Sequence, residues 1–202
     1  MVTMTYIPIP PTIPNICPST VIEVDFVIVQ EIALWYSVSP IWYFRTIEAI
    51  HKKHKPNKNN IIDILGKVVN IYRKRDLTET QFNIDNKFEC ARENLRPTYL
   101  NTVAASQHIG AIERSNRTIP DINRCHVQRL PYTYCPRKII VGCITYAIKL
   151  LNSLPAENGL SSNLSLTTLI TSTPPLDYHH ILKLNLDDFV QAHTTSILIS
   201  NN

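Results

Sequence analysis

The 202-residue sequence has little glycine, few charged residues and no closely spaced cysteine pair. Four glycines stand against fourteen prolines, an unusual balance because tight left-handed turns normally use glycine. The five cysteines are odd in number and none stands in a C-x-x-C pair, which argues against a disulfide framework and against a cysteine-ligated zinc site. With 44% hydrophobic and 18% charged residues, the chain has the composition of a folded globular protein.

Long hydrophobic runs are also lacking. The charge-free apolar run at residues 32–44 has 13 residues, whereas a helix that spans a membrane needs about 20. No Lys or Arg precedes Arg45, and a proline-rich stretch at residues 7–14 is not typical of a secretory signal. We therefore expect no membrane partner and a location inside the cell.

The hydrophobic pattern predicts strands first and helices later. Strands are expected at residues 21–29, 32–39, 41–46 and 78–84, with a short extended piece at 99–104 and a further strand near 183–192. Helices are expected at residues 61–72, 87–95, 107–119 and 137–154. Pro120 should end or kink the third helix, because proline lacks the amide hydrogen of a helical residue.

This order indicates an α/β fold, a mixed sheet with helices packed on it. The first three strands follow one another closely and so predict an antiparallel meander. We expect a proline-rich arm over residues 1–19, a core domain over 20–155 and a partly irregular C-terminal extension over 156–202.

Basic residues are concentrated in two blocks. Residues 45–75 carry nine Lys and Arg against two acids, and residues 92–138 carry eight against three. Such blocks are either solvated faces or a surface that binds phosphates. If the first block is part of a phosphate-binding surface, we expect its DNA contacts to be Lys52, Lys53, Arg73, Lys74 and Arg75.

Three acids are placed where carboxylates carry chemistry. Asp25 lies inside the first predicted strand, Asp85 at the end of the fourth, and Glu113 in a predicted helix. If these strands are neighbours, their two carboxylates can converge and a helix that crosses their edge can supply the third. A hard divalent cation would then relieve the repulsion between the three acids. The alternative is that the three acids have structural roles only. Asp25 would then be a hydrogen-bonded acid of the core, Asp85 a turn residue at the end of a strand, and Glu113 an exposed helix acid paired with Arg117 at the i+4 position.

The short sequence motifs around these acids resemble those of the catalytic core of copia-type retrotransposon integrases. The motifs are V-D-F at residues 24–26, I-D-N-K-F-E at 84–89 and Q-H-I-G-A-I-E-R-S-N-R-T-I at 107–119. L-L-N-S-L-P at residues 150–155 and the stretch 177–191 resemble the sequence that follows that core. The resemblance covers roughly residues 20–195.

The resemblance implies a ribonuclease H-like fold with a mixed sheet of about five strands. It also implies an enzyme that cleaves and joins DNA. Carried over position by position, Asp25, Asp85 and Glu113 are the catalytic residues and the metal ligands. They would hold Mg²⁺ or Mn²⁺, with two ions when DNA is bound and no zinc. The expected partner is DNA, both the element ends and the target. Whether the chain also forms a homo-oligomer is left open. Further DNA contacts would come from Arg114 and Arg117, and polar support from Asn86 and Asn116.

Some features depart from the family pattern. Lys87 stands where the family often has Glu, Pro120 interrupts the third helix, and no His/His/Cys/Cys zinc module precedes the core. These features suggest a degenerate fragment of an element. The alternatives are a non-catalytic relic that binds nucleic acid, and a small α/β interaction domain unrelated to DNA. A working integrase would act in the nucleus.

Overall fold

A computed structural model describes residues 19–50, 58–75, 77–103, 110–130 and 134–174. The strands within these ranges are β1 (Ser19–Val29), β2 (Ile32–Val38), β3 (Arg45–Ala49), β4 (Thr78–Asp85) and β5 (Tyr99–Val103). The helices are α1 (Lys58–Arg73), a 3₁₀ helix (Asn86–Leu95), α2 (Gly110–Gln128), α3 (Arg137–Ser153) and α4 (Leu166–Thr171). None of the described helices has the length and hydropathy needed to cross a membrane.

The five strands form one mixed sheet in the order β3-β2-β1-β4-β5. β1, β2 and β3 pair antiparallel, which confirms the predicted meander. β4 runs parallel to β1, and β5 runs parallel to β4. The predicted α/β class, a five-stranded mixed sheet with flanking helices, is confirmed.

The two faces of the sheet carry separate cores. Even-numbered residues of β1 and β4, among them Ile22, Phe82 and Ile84, are buried beneath α1, the 3₁₀ helix and α4. We call this side the α1 face. Beneath α2 and α3, apolar residues of β1 and β2 such as Val27 and Leu34 form the second core. We call this side the α2 face.

The third strand begins later than predicted. Residues 41–44 form a turn in place of a strand, in which Tyr43 has φ of 57° and its amide donates to the Ser39 carbonyl at 2.7 Å. Trp42 is buried and its indole donates to the Thr20 hydroxyl at 3.1 Å. Apolar residues can be buried whether they stand in a turn or in a strand. The hydrophobic pattern is the same in both cases and therefore could not distinguish a turn from a strand here.

The helix that contains Pro120 continues past it. α2 runs to Gln128, so Pro120 does not end the helix, and of the expected end or kink only the end is contradicted. Proline removes its own amide donor and its ring crowds the carbonyl four residues earlier. Ile119, the residue before it, is buried in the second core, and this packing favours the continued helix. The predicted strand at 183–192 and most of the predicted arm at 1–19 lie outside the described residues.

Candidate active site

A strip of polar side chains interrupts the α2 face across β1, β4 and β5. Glu23 of β1 is paired with Asn83 of β4, and Asn83 with Asn101 of β5. Continuing the first register by two residues brings Asp25 level with Asp85. Neighbouring strands lie about 4.8 Å apart and alternate residues share a face, so these two acids lie on the same side of adjacent strands.

The Asp25 carboxylate is held by α2 and by its own strand. Its Oδ2 accepts a hydrogen bond from the Asn116 side-chain amide at 3.0 Å, and its Oδ1 accepts one from the backbone amide of Phe26 at 2.7 Å. The Asn116 side-chain oxygen is buried and has no hydrogen-bond partner within the described ranges. Asn116, predicted as a supporting residue, thus contacts the first predicted catalytic acid.

Glu113 lies in the first turn of α2, three residues before Asn116. Its side chain is half-buried, as are those of Asp25 and Asp85. Since α2 packs against β1 and β2, the helix that carries Glu113 is anchored on the strand that carries Asp25. Asn86, the other predicted supporting residue, is exposed at the start of the 3₁₀ helix that follows Asp85.

Glu23 is a residue that the sequence analysis left without a role. It is 7% exposed, and its carboxylate accepts a hydrogen bond from the backbone amide of Ile112 at 3.0 Å. Burial raises the pKa of Glu23, while the Ile112 amide and the charge of Arg114 partly oppose that rise. Glu23 therefore holds the first turn of α2 on the sheet. The signal was present in the sequence, as a second acid inside a buried strand two residues before Asp25.

Other polar groups of the strip contact one another beside Asp85. The side-chain oxygen of Asn83 accepts hydrogen bonds from the amides of Gln81 and Asn101, the second at 3.0 Å. The described residues thus supply carboxylate and amide oxygens, the donors that Mg²⁺ and Mn²⁺ prefer. However, they include no group of three His, Cys, Asp or Glu side chains close enough together to hold a metal ion. The donor chemistry fits a divalent cation, whereas the convergence of three acids remains a prediction.

The predicted DNA contacts fall into three groups. Exposed positions are occupied by Arg73 and Lys74 at the end of α1 and by Arg114 and Arg117 on α2. Lys52 and Lys53 lie outside the described residues. Arg75 is only 2% exposed, and its guanidinium donates to the Leu169 carbonyl at 2.9 Å and to the Ser172 hydroxyl. This burial corrects the expectation for Arg75, whose charge is used to join the end of α1 to the end of α4.

Comparison with family models gives no match, and neither does comparison with curated proteins. Solved structures do match. The HTLV-2 integrase catalytic core domain in complex with magnesium is 15% identical in its trimeric form, with a TM-score of 0.52 over 74% of this chain and 95% of that one. Its dimeric form is also 15% identical, with a TM-score of 0.51 over 74% and 96% of the two chains. The catalytic core domain of BIV integrase is 12% identical, with a TM-score of 0.50 over 74% and 92%.

At these identities the likeness concerns the fold. The chain has the α/β fold of retroviral integrase catalytic cores, which confirms the predicted ribonuclease H-like class. The match extends over nearly the full length of each of those cores.

Proposed function

We propose that this chain is the catalytic core of a copia-type retrotransposon integrase, which cleaves and joins DNA phosphodiester bonds. Asp25, Asp85 and Glu113 would be the metal ligands and Mg²⁺ or Mn²⁺ the metal. The observation that carries the proposal is the hydrogen bond from Asn116 of α2 to Asp25 of β1, together with the pairing of Glu23 with Asn83, which stand two residues before Asp25 and Asp85 on adjacent parallel strands. The magnesium complex of the HTLV-2 core, which has this fold, supports the choice of metal.

Each group has a role in this proposal. Divalent cations at such a site would activate the attacking hydroxyl and stabilise the leaving oxygen. The Asn116 amide fixes the orientation of the Asp25 carboxylate, and Glu23 holds the start of α2 against β1. Arg114 and Arg117 project from the same helix and would bind phosphates of the DNA backbone. A homo-oligomer belongs to the proposal because the HTLV-2 core is solved in dimeric and trimeric forms, and a nuclear location follows from the substrate.

The competing function is a non-catalytic relic that keeps the fold and binds nucleic acid. One observation favours it: no three metal-binding side chains come together within the described ranges. Both functions predict DNA binding, with an affinity that falls as salt rises because each phosphate contact releases counterions. Only catalysis separates them.

The deciding experiment measures strand cleavage and joining. The protein is incubated with labelled linear DNA duplexes and Mn²⁺, and products are resolved by length. Asp85→Asn should lower product formation about a hundredfold or more, since it removes a carboxylate that would hold the cation. The matched control is Asp121→Asn, the same chemical change at an exposed acid of α2 that pairs with Arg124 at 3.3 Å. It should act like the unaltered protein.

Two results would contradict catalysis by this site. One is equal product formation by Asp85→Asn and the unaltered protein, which would assign the products to a contaminating nuclease. The other is DNA binding without any product in Mn²⁺ or Mg²⁺, which would establish the non-catalytic relic.

A further inference from the structure

A cavity of about 290 Å³ lies next to the candidate active site, because Tyr36 in its lining is paired across the strands with Asp25. It is bounded by β2, the start of β3, α2 and the end of α3. Its polar lining includes the guanidinium-bearing residues Arg45 and Arg114 and the hydroxyl-bearing residues Tyr36 and Ser115. The hydroxyl of Thr118, which also lines it, already donates to the Arg114 carbonyl at 2.9 Å. No Asp or Glu is among the described residues that line it. The lining therefore offers hydrogen-bond donors and positive charge to whatever enters.

The floor of the cavity holds an unsatisfied hydroxyl. Tyr36 is fully buried, and its hydroxyl makes no hydrogen bond of normal geometry to the described residues. Burial raises the pKa of Tyr36, with the nearby Ser115 hydroxyl and Arg45 guanidinium opposing part of the rise. The phenol therefore stays protonated at neutral pH and is a donor. A buried donor without an acceptor costs free energy, which an acceptor atom bound in the cavity would recover.

Arg45 is held in place by its backbone. Its amide donates to the Asn152 side-chain oxygen at 3.0 Å, and its carbonyl accepts from the Asn152 amide at 2.7 Å. Its side chain donates to the Tyr43 carbonyl at 2.9 Å. A guanidinium has five N–H donors in a fixed plane, so this contact orients the group and uses one of them.

The charges around the cavity favour an anion. Glu23 lies near enough to act on both Tyr36 and Arg114, although it does not line the cavity. The described lining holds two arginines and no Asp or Glu, so the wall that a ligand would meet is basic. Tetrahedral oxyanions match this set of donors, because each of their oxygens accepts several hydrogen bonds and arginine binds phosphate in a bidentate manner.

We infer that this cavity is a binding site for a phosphate group. Its volume suits a terminal phosphate with its hydration water and is too small for a continuous polynucleotide strand. The group would come either from a free phosphorylated small molecule or from the phosphorylated end of a DNA strand. This site shares α2 with the candidate active site and Arg114 with the proposed DNA contacts, but it uses neither Asp25 nor Asp85.

The test is calorimetric titration of the full chain with three probes. These are inorganic phosphate, a nucleoside 5′-monophosphate, and a short single-stranded oligonucleotide with or without a 5′-phosphate. Arg114→Gln should weaken the binding of inorganic phosphate about tenfold, by loss of a charged hydrogen bond. The matched control, Arg124→Gln on the exposed side of the same helix, should leave the affinity unchanged, because Arg124 does not line the cavity.

Tyr36→Phe separates binding from folding. It should weaken phosphate binding about fivefold and leave the unfolding midpoint in phosphate-free buffer nearly unchanged, because the hydroxyl it removes makes no hydrogen bond of normal geometry to the described residues. Tighter binding of the monophosphate than of inorganic phosphate identifies a free small molecule as the source. Binding that requires the 5′-phosphate of the oligonucleotide identifies a DNA end.

Two outcomes would overturn the inference. The first is no binding of any probe at millimolar concentration. The second is binding that Arg114→Gln and Tyr36→Phe leave intact, or that Arg124→Gln weakens equally. Asp85→Asn should keep the phosphate affinity even if it abolishes strand cleavage, so failure of this inference and failure of the proposed function are distinguishable.

Discussion

The two faces of the sheet are built from alternate residues of the same strands, yet they differ in what they bury. On the α1 face, Phe82 and Ile84 of β4 are fully buried in an apolar core. On the α2 face the neighbouring residues are Gln81, Asn83 and Asp85, and the Asn83 oxygen accepts hydrogen bonds from the amides of Gln81 and Asn101. One face stabilises the fold and the other carries the candidate chemistry, because side chains alternate with a period of two.

The α2 face is only partly polar. Towards β2 and the end of β1 this face is apolar again, with Val27, Leu34 and Ile144 buried in the second core. The polar strip and the cavity beside Tyr36 therefore lie next to packed side chains. Apolar packing on both sides gives the polar groups fixed positions, which binding and catalysis require.

Truncation on the apolar side should have the largest effect. Phe82→Ala removes a fully buried ring from the α1 face and should lower the free energy of unfolding by about 3–5 kcal/mol. Asn83→Ala, one residue along the same strand, should cost only about 1 kcal/mol, since its partners on the α2 face are half-buried amides. Urea unfolding of both variants measures the difference. Equal losses would show that the two faces contribute equally to stability.

Asn152 should give an intermediate effect. Its side chain satisfies the backbone amide and carbonyl of Arg45 at the edge strand β3. Asn152→Ala leaves both groups without that partner and should cost about 2–3 kcal/mol in urea unfolding. Asn70→Ala, the same change at an exposed position of α1, is the control and should leave stability nearly unchanged. A cost for Asn152→Ala no larger than the control would mean that water replaces the contact.

The smallest effect concerns the two buried tyrosines, Tyr72 on the α1 face and Tyr36 on the α2 face. Burial raises the pKa of both phenols above the ordinary value of 10.0. Between that value and the raised one, the unfolded chain releases a proton that the folded chain keeps, so stability falls as pH rises. Each phenol contributes at most about 1.4 kcal/mol per pH unit.

Urea unfolding between pH 9 and 11.5 measures this slope. Tyr72→Phe should flatten it more than Tyr36→Phe, because the shift at Tyr72 is opposed only by the Ser39 hydroxyl, whereas the Ser115 hydroxyl and the Arg45 guanidinium both oppose the shift at Tyr36. A larger change in this slope for Tyr36→Phe would mean that the phenol on the α2 face is the better shielded from solvent of the two. Slopes unaltered in both variants would contradict burial as the cause of the shifts.

Much of the fold followed from the sequence because its signals are local. The β-branched run at 21–29 and the apolar stripe of the helix at 137–154 are patterns of period 2 and period 3.6, and both elements formed where expected. The prediction was wrong where a local signal had two solutions. The apolar residues at 41–44 are buried from a turn, and α2 continues through Pro120 because flanking packing outweighs one lost hydrogen bond.

Site residues divide in the same way. Short sequence motifs led to the prediction of Asp25, Asp85, Glu113 and Asn116 as site residues. The structure shows a contact between Asn116 and Asp25, while a single site that contains all four stays a prediction. Arg75 carried the same basic signal as Arg73 and Lys74, but burial against α4 gives it a structural role. Glu23 had a visible pattern, although its bond to Ile112 needs two segments 89 residues apart along the chain.

Residue order along the chain was sufficient to predict most of the secondary structure and the α/β class and to nominate the acids of the proposed chemistry, since these depend on neighbours a few positions away. The pairing of β1 with β4, the burial of Arg75 and the cavity beside Tyr36 arise only when distant segments pack together. Burial decides whether a charged or polar group faces solvent, a partner or an enclosed space, and burial is a property of the whole fold.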